Sequence, residues 1–238
     1  MNQQHKETRS ETTGIERRYF QANTRASKDD DKMRIGGLGA VFDRLAPIGS
    51  WFLERIEPGF FDGCDIDEAA CLFNHDQNLV LARKKSGTLQ LNVTSQGLDY
   101  TADLPSSRAD IFELIERGDV YQSSFAFTVK KARWEEVSPD ELKGKIPEDV
   151  IQQLTYGGVV DIRVLEKCQK LYDVSPVTYP AYKDATVGKR SLSELEDIRA
   201  QREQKQETKT TIRANYRLPL YKARARQIEQ KQKQLKND

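Results

Sequence analysis

The sequence predicts a mostly β domain with helices around it, closed or nearly closed into a barrel, followed by a polar tail of helix and coil. Three observations carry that prediction. Between Ala69 and Asp103, short apolar runs alternate with turn signals. Val120–Val129 and Val159–Tyr179 are rich in β-branched and aromatic residues. Beyond Lys189 apolar residues thin out, and glutamine and charge take over. The 238 residues suffice for one ordinary domain with tails, and 37% hydrophobic against 32% charged is too polar for a chain packed from end to end. The expected division is a disordered segment over 1–14, a folded domain over 15–189 and a polar tail over 190–238.

Taken in order, the body begins near Arg17-Arg18-Tyr19-Phe20, and 34–42 reads as a glycine-rich strand. Gly36, Gly37 and Gly39 imitate a phosphate loop, but no helix start follows them, so nucleotide binding is set aside. Trp51 to Phe61 is an apolar cluster interrupted by a turn. The runs 69–73, 79–82, 88–93 and 98–102, separated by HDQN, KKSG and SQG, predict an antiparallel meander. Pro105 to Asp110 opens a helix in which Ser107 caps, Asp110 completes a capping box, Ile111, Leu114 and Ile115 form the apolar face, and Gly118 ends it. Val120 to Val129 returns to strand, 138–153 is a polar helical insertion, and 159–179 is strand again. Ser191 to Ile198 reads as a capped amphipathic helix, followed by a glutamine-rich stretch with seven glutamines between Gln201 and Gln234.

Charge and composition exclude several function classes. The net charge is +1, yet Arg190 to Asp238 holds 13 basic and 7 acidic residues, so the tail is basic and the body mildly acidic. Only Tyr216 and Tyr221 offer stacking surface there, so the tail reads as solvated rather than as a nucleic-acid binder. Cys64, Cys71 and Cys168 have neither disulfide nor zinc-site spacing, and His5 and His75 are the only histidines, so no metal is expected. No apolar run is long enough to span a membrane or to serve as a signal peptide, and a soluble, unexported protein without cofactors is the expectation.

Within Val120-Tyr-Gln-Ser-Ser-Phe-Ala-Phe-Thr-Val129, alternation puts Tyr121, Ser123, Phe125, Phe127 and Val129 on one face and Gln122, Ser124, Ala126 and Thr128 on the other. Ser123 then faces the core, and Ser124, with small neighbours, faces a cleft or solvent and is the candidate nucleophile. His75, after the run Cys71-Leu-Phe-Asn74, is the one histidine in the body and so the candidate base. Cys71 is a competing nucleophile, placed by four residues of strand about 13 Å from His75. Asp173 in Lys170-Leu-Tyr-Asp173 is a carboxylate within a strand, equally readable as an ion-paired aspartate or as the group that orients the imidazole.

Asn74-His75-Asp76, Gly97 to Pro105 leading into a helix, Arg117-Gly-Asp-Val-Tyr-Gln-Ser-Ser-Phe-Ala-Phe127 and Leu171 to Ala181, in that order, resemble the prohead protease family of tailed bacteriophages. The resemblance covers about Arg17 to Gly188. It implies a fold like the herpesvirus capsid maturation protease, a β-barrel ringed by helices, with His75 as base, Ser124 as nucleophile and Asp173 as orienting acid. It also implies a serine endopeptidase that cuts the scaffolding portion of the major capsid protein, and itself, inside the prohead in the host cytoplasm. The alternative is an inactive internal scaffold. Ser123 stands where the family usually has methionine, Ala126 where it has glycine, and Asp173 where it often has glutamate, which keeps Ser123 as a rival nucleophile and Glu166 as a fallback acid. The family's oxyanion loop would fall near Pro180 to Ala185.

Overall fold

The computed structural model describes residues 14–20, 24–29, 32–179 and 191–208. The chain divides into two compact units at Lys189 and Arg190. In the first, β1 (Glu16–Phe20), β2 (Arg25–Asp29), β3 (Lys32–Val41), β4 (Ala46–Ile48) and β5 (Phe52–Ile56) precede β6 (Ala70–Phe73), β7 (Asp76–Arg83), β8 (Leu89–Val93) and β9 (Gly97–Leu104). Helix α1 (Ala109–Glu116) leads to β10 (Gln122–Val137), then α2 (Pro139–Leu142), α3 (Glu148–Leu154), β11 (Thr155–Tyr156) and β12 (Val159–Val177).

The mostly β character agrees with the sequence, but the closed barrel does not follow. The strands form two sheets, one of eight strands with β1-β10-β12-β5-β4 as its path and one of four in the order β2-β3-β9-β8, and neither closes on itself among the described residues. Separate edges replace closure because the predicted meander is split: β6 and β7 form a hairpin in the large sheet, β8 and β9 one in the small sheet, and β7 does not pair with β8. Both sheets contribute to one core. Ile35, Leu98 and Tyr100 come from the small sheet, Phe125, Phe127, Leu171 and Val174 from the large one, and Ile111, Phe112 and Ile115 from α1. The rings of Phe125 and Phe127 stack at 4.5 Å on that inner face, as alternation along β10 requires.

The glycine-rich strand has a packing reason: a Cβ on Gly36 would stand 2.7 Å from the Tyr100 carbonyl oxygen of β9. At α1 the cap differs from expectation. Ser106–Arg108 form a 3-10 turn, Ser107 makes no capping bond, and Phe112 rather than Leu114 is buried. Gly118, at φ 80°, does end the helix, its N–H donating to the Ile115 carbonyl. The segment taken as an insertion builds a second core. Ser138 and Glu141 form a capping box on α2, and Leu142, Ile146, Ile151 and Leu154 pack on Leu53, Val160, Ile162 and Val164.

β12 is the spine of the large sheet. β10 runs antiparallel along its whole length, while β5 lies parallel to its first part and β6 to its last. On the β1 side, Arg18 and Arg163 bind Glu16 and Glu54 in a fully buried four-member ion cluster, Arg163 Nη1 lying 2.8 Å from Glu16 Oε2 and Arg18 Nη2 2.9 Å from Glu54 Oε2. Burial alone would raise Glu16, yet the two guanidiniums outweigh it and hold its carboxyl below the usual range. β1 is thereby fastened to β5 and β12 as well as paired with β10.

In the second unit, residues 191–208 are helical, longer than the helix expected to end at Ile198. The expected N-terminal segment falls almost entirely outside the described residues, as does the tail beyond 208. No helix among the described residues is long and apolar enough to cross a membrane.

Candidate active site

β6 runs parallel to the end of β12, with Ala70 beside Asp173 and Cys71 beside Val174. It then turns into β7 through two residues, Asn74 at φ 53° and His75 at φ 58°. Positive φ at both central residues is the type I′ arrangement that matches strand twist in two-residue hairpins, and Asn and His are among the side chains that tolerate it. The turn is clasped to β12: the Asn74 N–H donates to the Pro176 carbonyl at 3.0 Å, its Nδ2 to Thr178 Oγ1 at 3.2 Å, and the Thr178 N–H to Asn74 Oδ1 at 2.9 Å.

That clasp sets the imidazole over the sheet. His75 Nδ1 is 2.6 Å from Asp173 Oδ1 and His75 Nε2 is 2.6 Å from Ser124 Oγ. The three candidates named from the sequence are therefore consecutive hydrogen-bond partners, although 49 and 98 residues separate them along the chain. Asp173 is neither a surface ion pair nor too short to reach. A fourth side chain, Ser175, donates to Asp173 Oδ1 at 2.7 Å and lies 3.3 Å from His75 Nδ1. The Tyr19 ring stands edge-on to the imidazole with centroids 5.9 Å apart.

A serine hydroxyl bonded to an imidazole whose other nitrogen meets a carboxylate is the arrangement of acyl-transfer hydrolases. The family model described as caudovirus prohead serine protease matches residues 20–198. The chain belongs to this family. No curated protein and no solved structure matches it.

Within this prohead protease chain the competing residues are occupied elsewhere. Ser123 is buried between the sheets, bonded to Thr24 Oγ1 at 3.1 Å and Tyr100 Oη at 3.2 Å. Cys71 is buried in the core, where burial and the neighbouring Asp173 push its thiol well above the ordinary range, away from thiolate chemistry. Glu166 pairs with Lys131 and Arg133 of β10. One expectation fails: Ser124 does not face open cleft or solvent but is 0% exposed. It sits between Tyr19 of β1 and Ser175 of β12, with His75 bonded over it.

Sequence reasoning missed Ser175, Asn74 and Tyr19. Ser175 is two residues from Asp173 on the same strand face, so parity would have placed it beside the carboxylate. Tyr19 needed the register of β1 on β10, which no local signal supplies. The expected oxyanion loop near Pro180 to Ala185 lies outside the described residues.

Proposed function

We propose that this prohead protease cleaves peptide bonds with Ser124 as nucleophile, His75 as general base and Asp173 as the group that orients the imidazole. The supporting observation is the unbroken Ser124–His75–Asp173 chain of 2.6 Å contacts. His75 Nε2 takes the Ser124 proton as Oγ attacks the scissile carbonyl, and Nδ1–H donates to Asp173, which stabilises the imidazolium. The imidazolium then protonates the leaving amine, and water activated by the same nitrogen hydrolyses the acyl-enzyme. Ser175 donates to the same carboxylate oxygen, Asp173 Oδ1, and so fixes its position.

The substrates in this reading are the scaffolding portion of the phage major capsid protein and the protease chain itself, cut inside the immature shell in the host cytoplasm. Confinement raises effective concentration to the millimolar scale, enough for poor sites in exposed segments to be cut. The basic tail over 190–238 acts in packaging and not in catalysis, so a chain ending at Lys189 folds and cuts supplied substrate but enters proheads poorly. The deciding experiment is intact-mass analysis of proheads assembled with wild type or Ser124→Ala. Wild type shortens itself and the capsid protein, and the variant leaves both at full length. An unprocessed capsid protein beside an active wild-type enzyme would refute the substrate, and processing by Ser124→Ala would refute the nucleophile.

A further inference from the structure

Direct partners in an antiparallel pair point to the same face of the sheet. The register therefore lays three rows across the face that carries the nucleophile. Tyr19, Ser124 and Ser175 form the middle row; Arg17, Ala126 and Asp173 lie on one side and Gln122 and Val177 on the other. Each flanking row is about 7 Å from Ser124, two residues at roughly 3.4 Å each.

On both flanking rows a polar group is buried without a partner among the described residues. They are Arg17 Nε and Gln122 Oε1, and Gln122 is only 3% exposed. Arg17 takes part in no ion pair among the described residues, whereas Arg18, on the opposite face, is neutralised by Glu16 and Glu54. Ala126, between Arg17 and Asp173, contributes only a methyl group to the floor. Buried donors and acceptors are satisfied in all but a few places, and a pair left open on either side of a nucleophile calls for a ligand.

We infer that Arg17 and Gln122 read the substrate. Arg17 receives a carboxylate side chain within two residues of the scissile bond, and Gln122 Oε1 accepts an N–H from the peptide on the other side of it. The reading rests on Ser124 as nucleophile. A guanidinium without a counter-ion is complementary to aspartate or glutamate, which it can bind through two parallel hydrogen bonds, and it repels lysine or arginine at the same place.

The test is digestion of a defined peptide library by the full chain, with cleavage sites and rates read by mass spectrometry. Wild type is expected to favour Asp or Glu over Lys or Arg by at least about tenfold at one position within two residues of the cut. Arg17→Glu should reverse that preference at the same position, and Arg17→Lys should keep it in weakened form. Gln122→Leu should lower kcat/KM about tenfold through KM, with the acidic preference intact. If Arg17→Glu fails to fold, Arg17→Gln must abolish the preference. A wild type indifferent to acidic residues, a preference untouched at Arg17, or equal loss of rate on every peptide would each overturn the role of Arg17. Unchanged kinetics in Gln122→Leu would overturn that of Gln122. Undiminished cutting by Ser124→Ala would instead remove the nucleophile assignment beneath both.

Discussion

Ser124 and Ser175 stand directly opposite each other on β10 and β12, and their hydroxyls engage opposite ends of one relay. Ser124 Oγ meets His75 Nε2, and Ser175 Oγ donates to the Asp173 oxygen that meets His75 Nδ1. The strand pairing thus fixes the positions of Asp173 and Ser124 together. Ser175→Ala should lower kcat about 10- to 100-fold, the worth of one hydrogen bond to a charged group, with KM unchanged and Ser175→Thr restoring part of the rate. Steady-state kinetics on a peptide substrate check this.

The two adjacent serines should separate cleanly. Ser124→Ala should reduce kcat by on the order of 10⁵- to 10⁶-fold, and Asp173→Asn by about 10⁴-fold through the wrong imidazole tautomer. Ser123→Ala should leave kcat near wild type. It should cost about 1–2 kcal/mol of stability, because it withdraws the partner of Tyr100 and Thr24 inside the core. Parallel turnover and urea unfolding measurements distinguish the two effects.

Asn74 holds the imidazole without touching it. Asn74→Gly keeps the positive φ but removes the two side-chain bonds to Thr178. The turn should then sample positions away from Ser124, and kcat should fall about tenfold while KM holds. Restoration by a Cys pair linking positions 74 and 178 under oxidation would support the clasp, and full activity in Asn74→Gly would refute it.

The buried ion cluster predicts an acid limit on stability. Glu16 has its pKa lowered in the folded state, so its contribution is present above the unfolded carboxylate value of about 4.3 and is lost as pH falls through the lower folded value. Thermal melts of wild type should drop below about pH 4, and Glu16→Gln should be less stable at pH 7 with a flatter dependence in that acid range. Arg18→Met should cost about 3–5 kcal/mol, since two carboxylates would share one guanidinium.

Much of this was legible in the sequence, for reasons that differ by residue. Ser123 and Ser124 could be assigned to opposite faces because strand alternation is local, and Asp173 could be singled out because it is a carboxylate within a strand. The split of the meander was not legible: the runs before and after KKSG look alike, and only tertiary pairing assigns them to different sheets. Ser124 was expected to be open because its strand neighbours are small, but exposure depends on what lies above the face, which here is His75 and the flanking strands. Nor could composition show that 138–154 packs a second core against the large sheet, since Leu142, Ile146, Ile151 and Leu154 are spread among polar residues.

The distance of 98 residues between His75 and Asp173 also sets a clock. Contacts so remote in sequence form late, because loop closure must precede them, and sheets built from such pairings fold slowly. The proposed relay is complete only when β6, β10 and β12 have docked side by side. A nascent chain in which β6 has not yet met β12 therefore lacks the contacts on which the proposed activity rests.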